Sequence, residues 1–302
     1  MENWIIFAIL SPFFFVLSNI IDKFVLEKKI KNIYTYGVIV GLCGLVSGIL
    51  VFLFTLQPFG LISSFWAILT GLIYGFSYLI YFKAVSTSDI STVVTLLFIY
   101  PIFTALFAFI FLQEKLALVK YIAIILLISG AVLMSLEKSK DKRGIKDRYR
   151  IKVVLWLMLA VAVIMGIFNT VAKFTLESLS YWNVYFLTWV GAAIVLMFPL
   201  IFKKNKIALK DSFKFIHLIV YQQILAFIGL LMFFIATSLT KVSIVAALDV
   251  LRSPMAFIFM ILISLFRPQL LKESINKETI LRKVFAIILI VAGIILIFKY
   301  KI

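Results

Sequence analysis

The run SNIIDKFVLE at 18–27 occurs a second time, as FNTVAKFTLE at 168–177. Asn19, Lys23, Phe24, Leu26 and Glu27 return as Asn169, Lys173, Phe174, Leu176 and Glu177, a shift of 150 residues in a chain of 302. The same shift carries Gly41 onto Gly191. Ala84, Ser86, Ser91 and Val93 match Ala236, Ser238, Ser243 and Val245 at a shift of 152. AIIL at 123–126 followed by Gly130 matches AIIL at 286–289 followed by Gly293, now at 163, so the second copy has gained eleven residues, assigned to the polar stretch 267–283. Self-similarity at half the chain length marks a duplicated unit. The expected organisation is a first repeat at 1–136, a basic linker at 137–152 (EKSKDKRGIKDRYRIK) and a second repeat at 153–302.

Hydrophobic residues make up 64% of the chain and charged residues 14%, with a mean hydropathy of +1.17. These are too few polar groups to dissolve the surface of a globular domain, so membrane lipids are the expected surroundings. A lone cysteine, Cys43, excludes disulfides within the chain and cysteine metal centres, and a lone histidine, His217, leaves a histidine-based site without partners. No nucleotide-binding motif is present, and no cofactor is expected. The net charge of +17 sits in short loops between apolar runs, as in cytoplasmic membrane loops; a nucleic-acid partner is not expected.

Apolar segments of about 20 residues, long enough to cross ~30 Å of hydrocarbon, fall at 4–26, 33–55, 64–83, 92–112, 118–136, 153–173, 182–202, 215–238, 243–265 and 281–299. Each must be helical, because lipid offers a backbone amide no partner. The first does not read as a cleaved signal peptide: no basic residue precedes it, and it ends in Asp22-Lys23. The expected fold is therefore an all-α membrane protein of ten transmembrane helices. If both termini share a side with the even-numbered connections, that side carries five basic residues and the other 22, with Lys23, Lys173 and Arg252 left within the membrane. The positive-inside bias then places the linker in the cytoplasm and both termini outside, in the plasma membrane. Five helices per repeat invert the second copy relative to the first. Two oppositely inserted copies can exchange conformations and open a shared cavity to each side in turn, which is what an alternating-access carrier needs.

Polar groups inside these segments are the candidates for the site, since a charge near the bilayer centre costs roughly 2.5–3.5 kcal/mol on insertion scales. Asn19, Asp22 and Lys23 fall within about a turn of the first segment, and Asn169 and Lys173 repeat the pattern with Ala172 in place of the aspartate. The lysines either line a cavity as cationic sites or, lying near helix ends, extend to the interface. Asp249 and Arg252 share a face three residues apart and can pair, either as a structural ion pair that positions the helix or as a gate or substrate contact at the cavity wall. Gln222 and Gln223 are adjacent and point to different faces, so at most one is expected at the cavity. Tyr74, Tyr78 and Tyr81 form a stripe at helical spacing, either packing or a wet wall on which the hydroxyls find partners. Ala123 and Gly130, with Ala286 and Gly293, make two small-residue seams through which the fifth and tenth helices are expected to pack.

The run AVSTSDISTVVTLLFIYPIFTALFAFIFLQEKLALVKYIAIILLISGAVLM at 84–134 resembles the EamA family of the drug/metabolite transporter superfamily. The resemblance rests on the small-polar loop, Pro101 followed by FTAL, the FLQEKL end with Glu114, and the Gly130 helix. The second copy keeps Pro254 with a one-residue slip but has no glutamate where Glu114 would repeat. The resemblance implies ten helices, a central cavity lined by helices 1, 3, 4, 6, 8 and 9, and transport of amino acids or other small metabolites. Lys23-Phe24 and Lys173-Phe174 also look like the lysine-phenylalanine of the four-helix small multidrug resistance proteins. Those relatives carry a membrane glutamate eight residues earlier, where this chain has Phe15 and Met165.

The expected function is secondary transport of a small organic metabolite, as an exporter by resemblance, from a monomer or weak homodimer. The alternative is a flippase or transporter for a lipid-linked or other organic anion, with the two lysines on a phosphate. An intramembrane enzyme would need paired aspartates in a Gly-Asp motif or a histidine-centred site, and neither is present. A cysteine introduced at Ser139 in a Cys43-free background is expected to resist an impermeant label in intact cells and to react once the cytoplasm is opened. Labelling from outside would reverse the orientation.

Overall fold

In a computed structural model, the described residues are 3–30, 32–87, 93, 96–135, 145–202, 209, 210, 212–266 and 277–299. Among them the regular elements are all helical: α1 (Asn3–Lys28), α2 (Ile33–Thr55), α3 (Leu61–Thr87), α4 (Tyr100–Phe111), α5 (Leu118–Ser135), α6 (Ile145–Leu176), α7 (Tyr181–Met197), α8 (Ile216–Leu239), α9 (Val242–Leu248), α10 (Arg252–Phe266) and α11 (Lys277–Lys299). Eight stretches are long and apolar enough to cross a membrane; α9 and α10 together supply one of them. Two more of the expected ten are shorter apolar helices, Tyr100–Phe111 and Leu118–Met134. At 1.5 Å per residue the twelve residues of α4 reach only about 18 Å. Most of the chain just before α4, residues 88–92, 94 and 95, lies outside the described residues.

Part of the expected linker is helix. Residues 145–152 form the start of α6, while 136–144 lie outside the described residues, as do 267–276 within the stretch assigned the extra residues. Local chemistry sets several ends. The Asn32 side chain accepts from the backbone N–H of Tyr34 and Thr35 at 3.0 and 3.3 Å and caps α2, and Ser180 accepts from Asn183 N–H at the head of α7, each satisfying donors that a helix start leaves open.

The helices pair crosswise between the two halves. α1 lies along α8 and α3 along α6; α2 and α3 both pack on α7. The α3–α7 seam is a backbone-to-backbone contact. A Cβ on Gly71 would overlap the Thr188 carbonyl, and one on Gly191 the Ile68 carbonyl. α5 and α11 pack as the small-residue seams predict: a Cβ on Gly130 would sit 2.8 Å from the Ala286 oxygen, and one on Gly293 3.0 Å from that of Ala123. Without a hydrophobic drive between helices in lipid, such close approach supplies the dispersion contact that holds them together.

Glu114 explains its own lack of a repeat. Its carboxylate accepts from the N–H of Val242 and Ser243 (3.0 and 3.4 Å) and from the Ser243 hydroxyl (2.9 Å). The residue caps α9 of the other half, and Lys241 Nζ donates to the Lys115 carbonyl beside it at 2.8 Å. The bulk the α3–α7 seam cannot take is testable. Gly71→Ala and Gly191→Ala are each expected to destabilise the fold by about 1–3 kcal/mol, read as a lower melting temperature of the detergent-solubilised protein. Gly60→Ala, where the added carbon meets nothing within 4 Å, should leave it unchanged.

Candidate functional site

α4 and α10 both begin at an interruption. The chain turns at Phe98 and Ile99 before Tyr100-Pro101 opens α4, and a 3-10 turn at Asp249–Leu251 separates α9 from α10. Proline in the first turn suits a fresh helix start, since its missing N–H would have no partner there. Both interruptions border one cavity, of about 730 Å³ of empty space with its open side counted. Broken helices at membrane depth are tolerated where they are buried in protein or line such a space.

Phe15, Asn19 and Asp22 enter the cavity from α1, and Met165, Phe168 and Asn169 from α6. Phe15 and Asn19 thus face Met165 and Asn169, their own repeat partners. α3 contributes Tyr74, Ser77, Tyr78 and Tyr81; α8 contributes Leu230 and Phe233, which stand 152 residues after Tyr78 and Tyr81. Leu97, Tyr100, Val161 and Arg252 complete the wall. The tyrosines pack tightly: the Tyr74 ring stacks on Phe168 with centroids 4.7 Å apart, and its hydroxyl lies 3.2 Å from that of Tyr78.

Asp249 and Arg252 pair. Arg252 Nε donates to Asp249 Oδ1 at 2.7 Å, a terminal guanidinium nitrogen lies 2.7 Å from the same oxygen, and the Tyr100 hydroxyl donates to Oδ2 at 2.6 Å. The guanidinium carbon stands 3.8 Å from the centre of the Phe15 ring, a cation over an aromatic face. Asp249 itself is buried behind the cavity wall. Asp22 is held differently. The Tyr36 hydroxyl donates to one carboxylate oxygen and Gln222 Nε2 to the other at 3.4 Å; the same amide donates to Ser18 Oγ at 2.9 Å.

Of the residues singled out in the sequence, Asn19, Asp22, Tyr74, Tyr78, Tyr81, Asn169 and Arg252 are brought together at the cavity, while Gln222 and Asp249 stand behind it and orient those that line it. Gln223 donates to the Val40 carbonyl at 2.8 Å. Lys173 is elsewhere: its Nζ donates at 3.0 Å to the Thr237 carbonyl in the last turn of α8, where a cation complements the helix end. The Lys23 side chain lies outside the described residues. Several participants escaped the sequence reading, Ser77, Phe168, Leu230 and Phe233 of the wall among them, together with two tyrosines that hold the carboxylates. Tyr36 meets Asp22 only through the α1–α2 turn, and Tyr100 carried one signal, its place immediately before Pro101.

Breaking the Asp249–Arg252 pair leaves one charge unpaired at low dielectric, typically a loss of about 3–5 kcal/mol. Asp249→Asn alone is expected to destabilise more than Asp249→Asn with Arg252→Gln. Simple additivity in a melting series would show the two to be uncoupled.

A model of the EamA-like transporter family matches residues 2–136 and again 152–299. A search of curated proteins finds no match. Among solved structures, one titled only as the crystal structure of a protein is 12% identical and superposes with a TM-score of 0.71, covering 98% of this chain and 97% of its own. That likeness shows a shared fold. With both halves of its length matched, the chain belongs to the EamA-like transporter family.

Proposed function

We propose that the chain is a secondary transporter that exports a small organic metabolite, an amino acid or a compound of similar size, by alternating access. It does so across the plasma membrane through ten spanning helices, α4 and α5 supplying the fourth and fifth, arranged as two inverted five-helix repeats with the 137–152 linker in the cytoplasm. The observation that carries this reading is a single cavity bordered by two helix interruptions, one in each half, and walled by matching helices of both repeats. A cavity so shared can change its accessible side when one repeat rocks against the other. The polar equipment is hydrogen-bonding and aromatic, suited to holding a solute, and no catalytic role is assigned to it.

The test is counterflow. Vesicles containing the purified chain are loaded with unlabelled amino acids and simple amines, then given each compound in labelled form outside. At least one tracer is expected to accumulate above the level in protein-free vesicles. Leu230→Trp, which puts an indole into the cavity, should abolish that exchange while the protein elutes and melts as the parent does. No exchange of any tracer would overturn the reading.

A further inference from the structure

The repeats contribute unequally to the charge of the cavity. α1 places Asp22 there, whereas the equivalent position of α6 is Ala172. The second repeat contributes Arg252, but two of its guanidinium nitrogens are already committed to Asp249. Counting Asp249 with its partner, the arginine is neutralised, and among the described side chains the charge of Asp22 is left over. The hydrogen-bond donors on Asp22, Tyr36 and Gln222, are neutral; they steady a carboxylate without cancelling its charge, and a carboxylate with little water around it strongly favours a counter-cation.

The rest of the wall fits an organic cation. Tyr74, Tyr78, Tyr81, Phe168 and Phe233 line the cavity that Asp22 borders, and the negative faces of aromatic rings attract an ammonium group while their bodies accept the carbon skeleton attached to it. A small inorganic cation would instead need several oxygen ligands at once, and among the described residues no group of three or more acidic, histidine or cysteine side chains could hold a metal ion.

We propose that Asp22 binds the ammonium group of a primary or secondary organic amine, with the remainder of the molecule against the tyrosine wall of α3. This rests on the transporter reading in that the amine is the species carried. The preference comes from the first repeat alone, which makes the site one-ended: cation at α1, carbon skeleton toward α3 and α8.

The test is equilibrium binding to the purified full chain near neutral pH, and so does not depend on flux. Phenethylamine and 3-phenylpropanoate share a ring and a short chain and differ in the sign of the end group. The parent protein is expected to bind the amine at least about tenfold more tightly, the scale of one charge-assisted hydrogen bond, and excess sodium chloride should compete only weakly. Asp22→Asn should remove the preference, and Asp22→Glu should keep part of it. Equal or tighter binding of the carboxylate, displacement of the amine by sodium, or an undiminished preference in Asp22→Asn would each overturn the proposal. If Asp22→Asn fails to fold, the amine–carboxylate comparison on the parent protein still decides. Counterflow of a solute that does not need Asp22 would sink this inference and leave the transporter reading intact; amine binding without any exchange would overturn the transporter reading, and with it the claim that the amine is carried, while the Asp22 binding site would stand.

Discussion

Hydrocarbon leaves a backbone amide nowhere to turn except to its own helix, and among the described residues the apolar segments are helical almost throughout. The constraint gives the two exceptions their meaning. At Phe98–Ile99 and at Asp249–Leu251 the helix is interrupted, and the backbone amides there turn to carbonyls one short turn back, Ile99 N–H to Leu96 at 3.3 Å and Arg252 N–H to Asp249. The Tyr100 hydroxyl reaches Asp249 across the gap, and Arg252 closes on the same carboxylate. Asp249, Arg252 and Tyr100 gather around these two breaks, while Asn19, Asp22 and Asn169 reach the cavity from the unbroken helices α1 and α6.

Duplication supplied the frame, and divergence supplied the chemistry. Asn19 and Asn169 are unchanged across the two copies and lie on the same cavity. Around them the copies have drifted in complementary ways. The α3 stripe is tyrosine where α8 has Leu230 and Phe233; α1 has an aspartate where α6 has alanine. Glu114 serves the second half rather than its own, as the cap of α9. A perfect repeat would present the same surface to a solute from both sides. This one offers a different wall at each end of the molecule it would hold.

How much of this could be read from residues alone follows from the range of each interaction. The repeat was legible because it is a comparison of the chain with itself, and the Gly130 and Gly293 seams because small residues at regular spacing leave few other roles. The ion pair of Asp249 and Arg252 was legible because three residues separate its members. Tyr36 with Asp22, and Tyr100 with Asp249, were not, since the first depends on how α1 meets α2 and the second spans 149 residues. The lysines taught the opposite lesson. Lys173 repeats Lys23 faithfully in sequence, yet its ammonium group ends on the Thr237 carbonyl. Repetition marked the position as constrained without saying by what.

The crosswise pairing of helices also has a consequence for how the protein is made. The partner that α1 needs is α8; Gln222 meets Ser18 across 204 residues. A ribosome adding about 5–20 residues per second delivers that partner roughly 10–40 s after the first helix has entered the bilayer. During that interval the glycine-lined face of α3 lacks α7, the helix it packs on, while Asp22 already has Tyr36 of α2 beside it and lacks only Gln222. The close packing of the first half is thus completed only when the helices of the second half arrive.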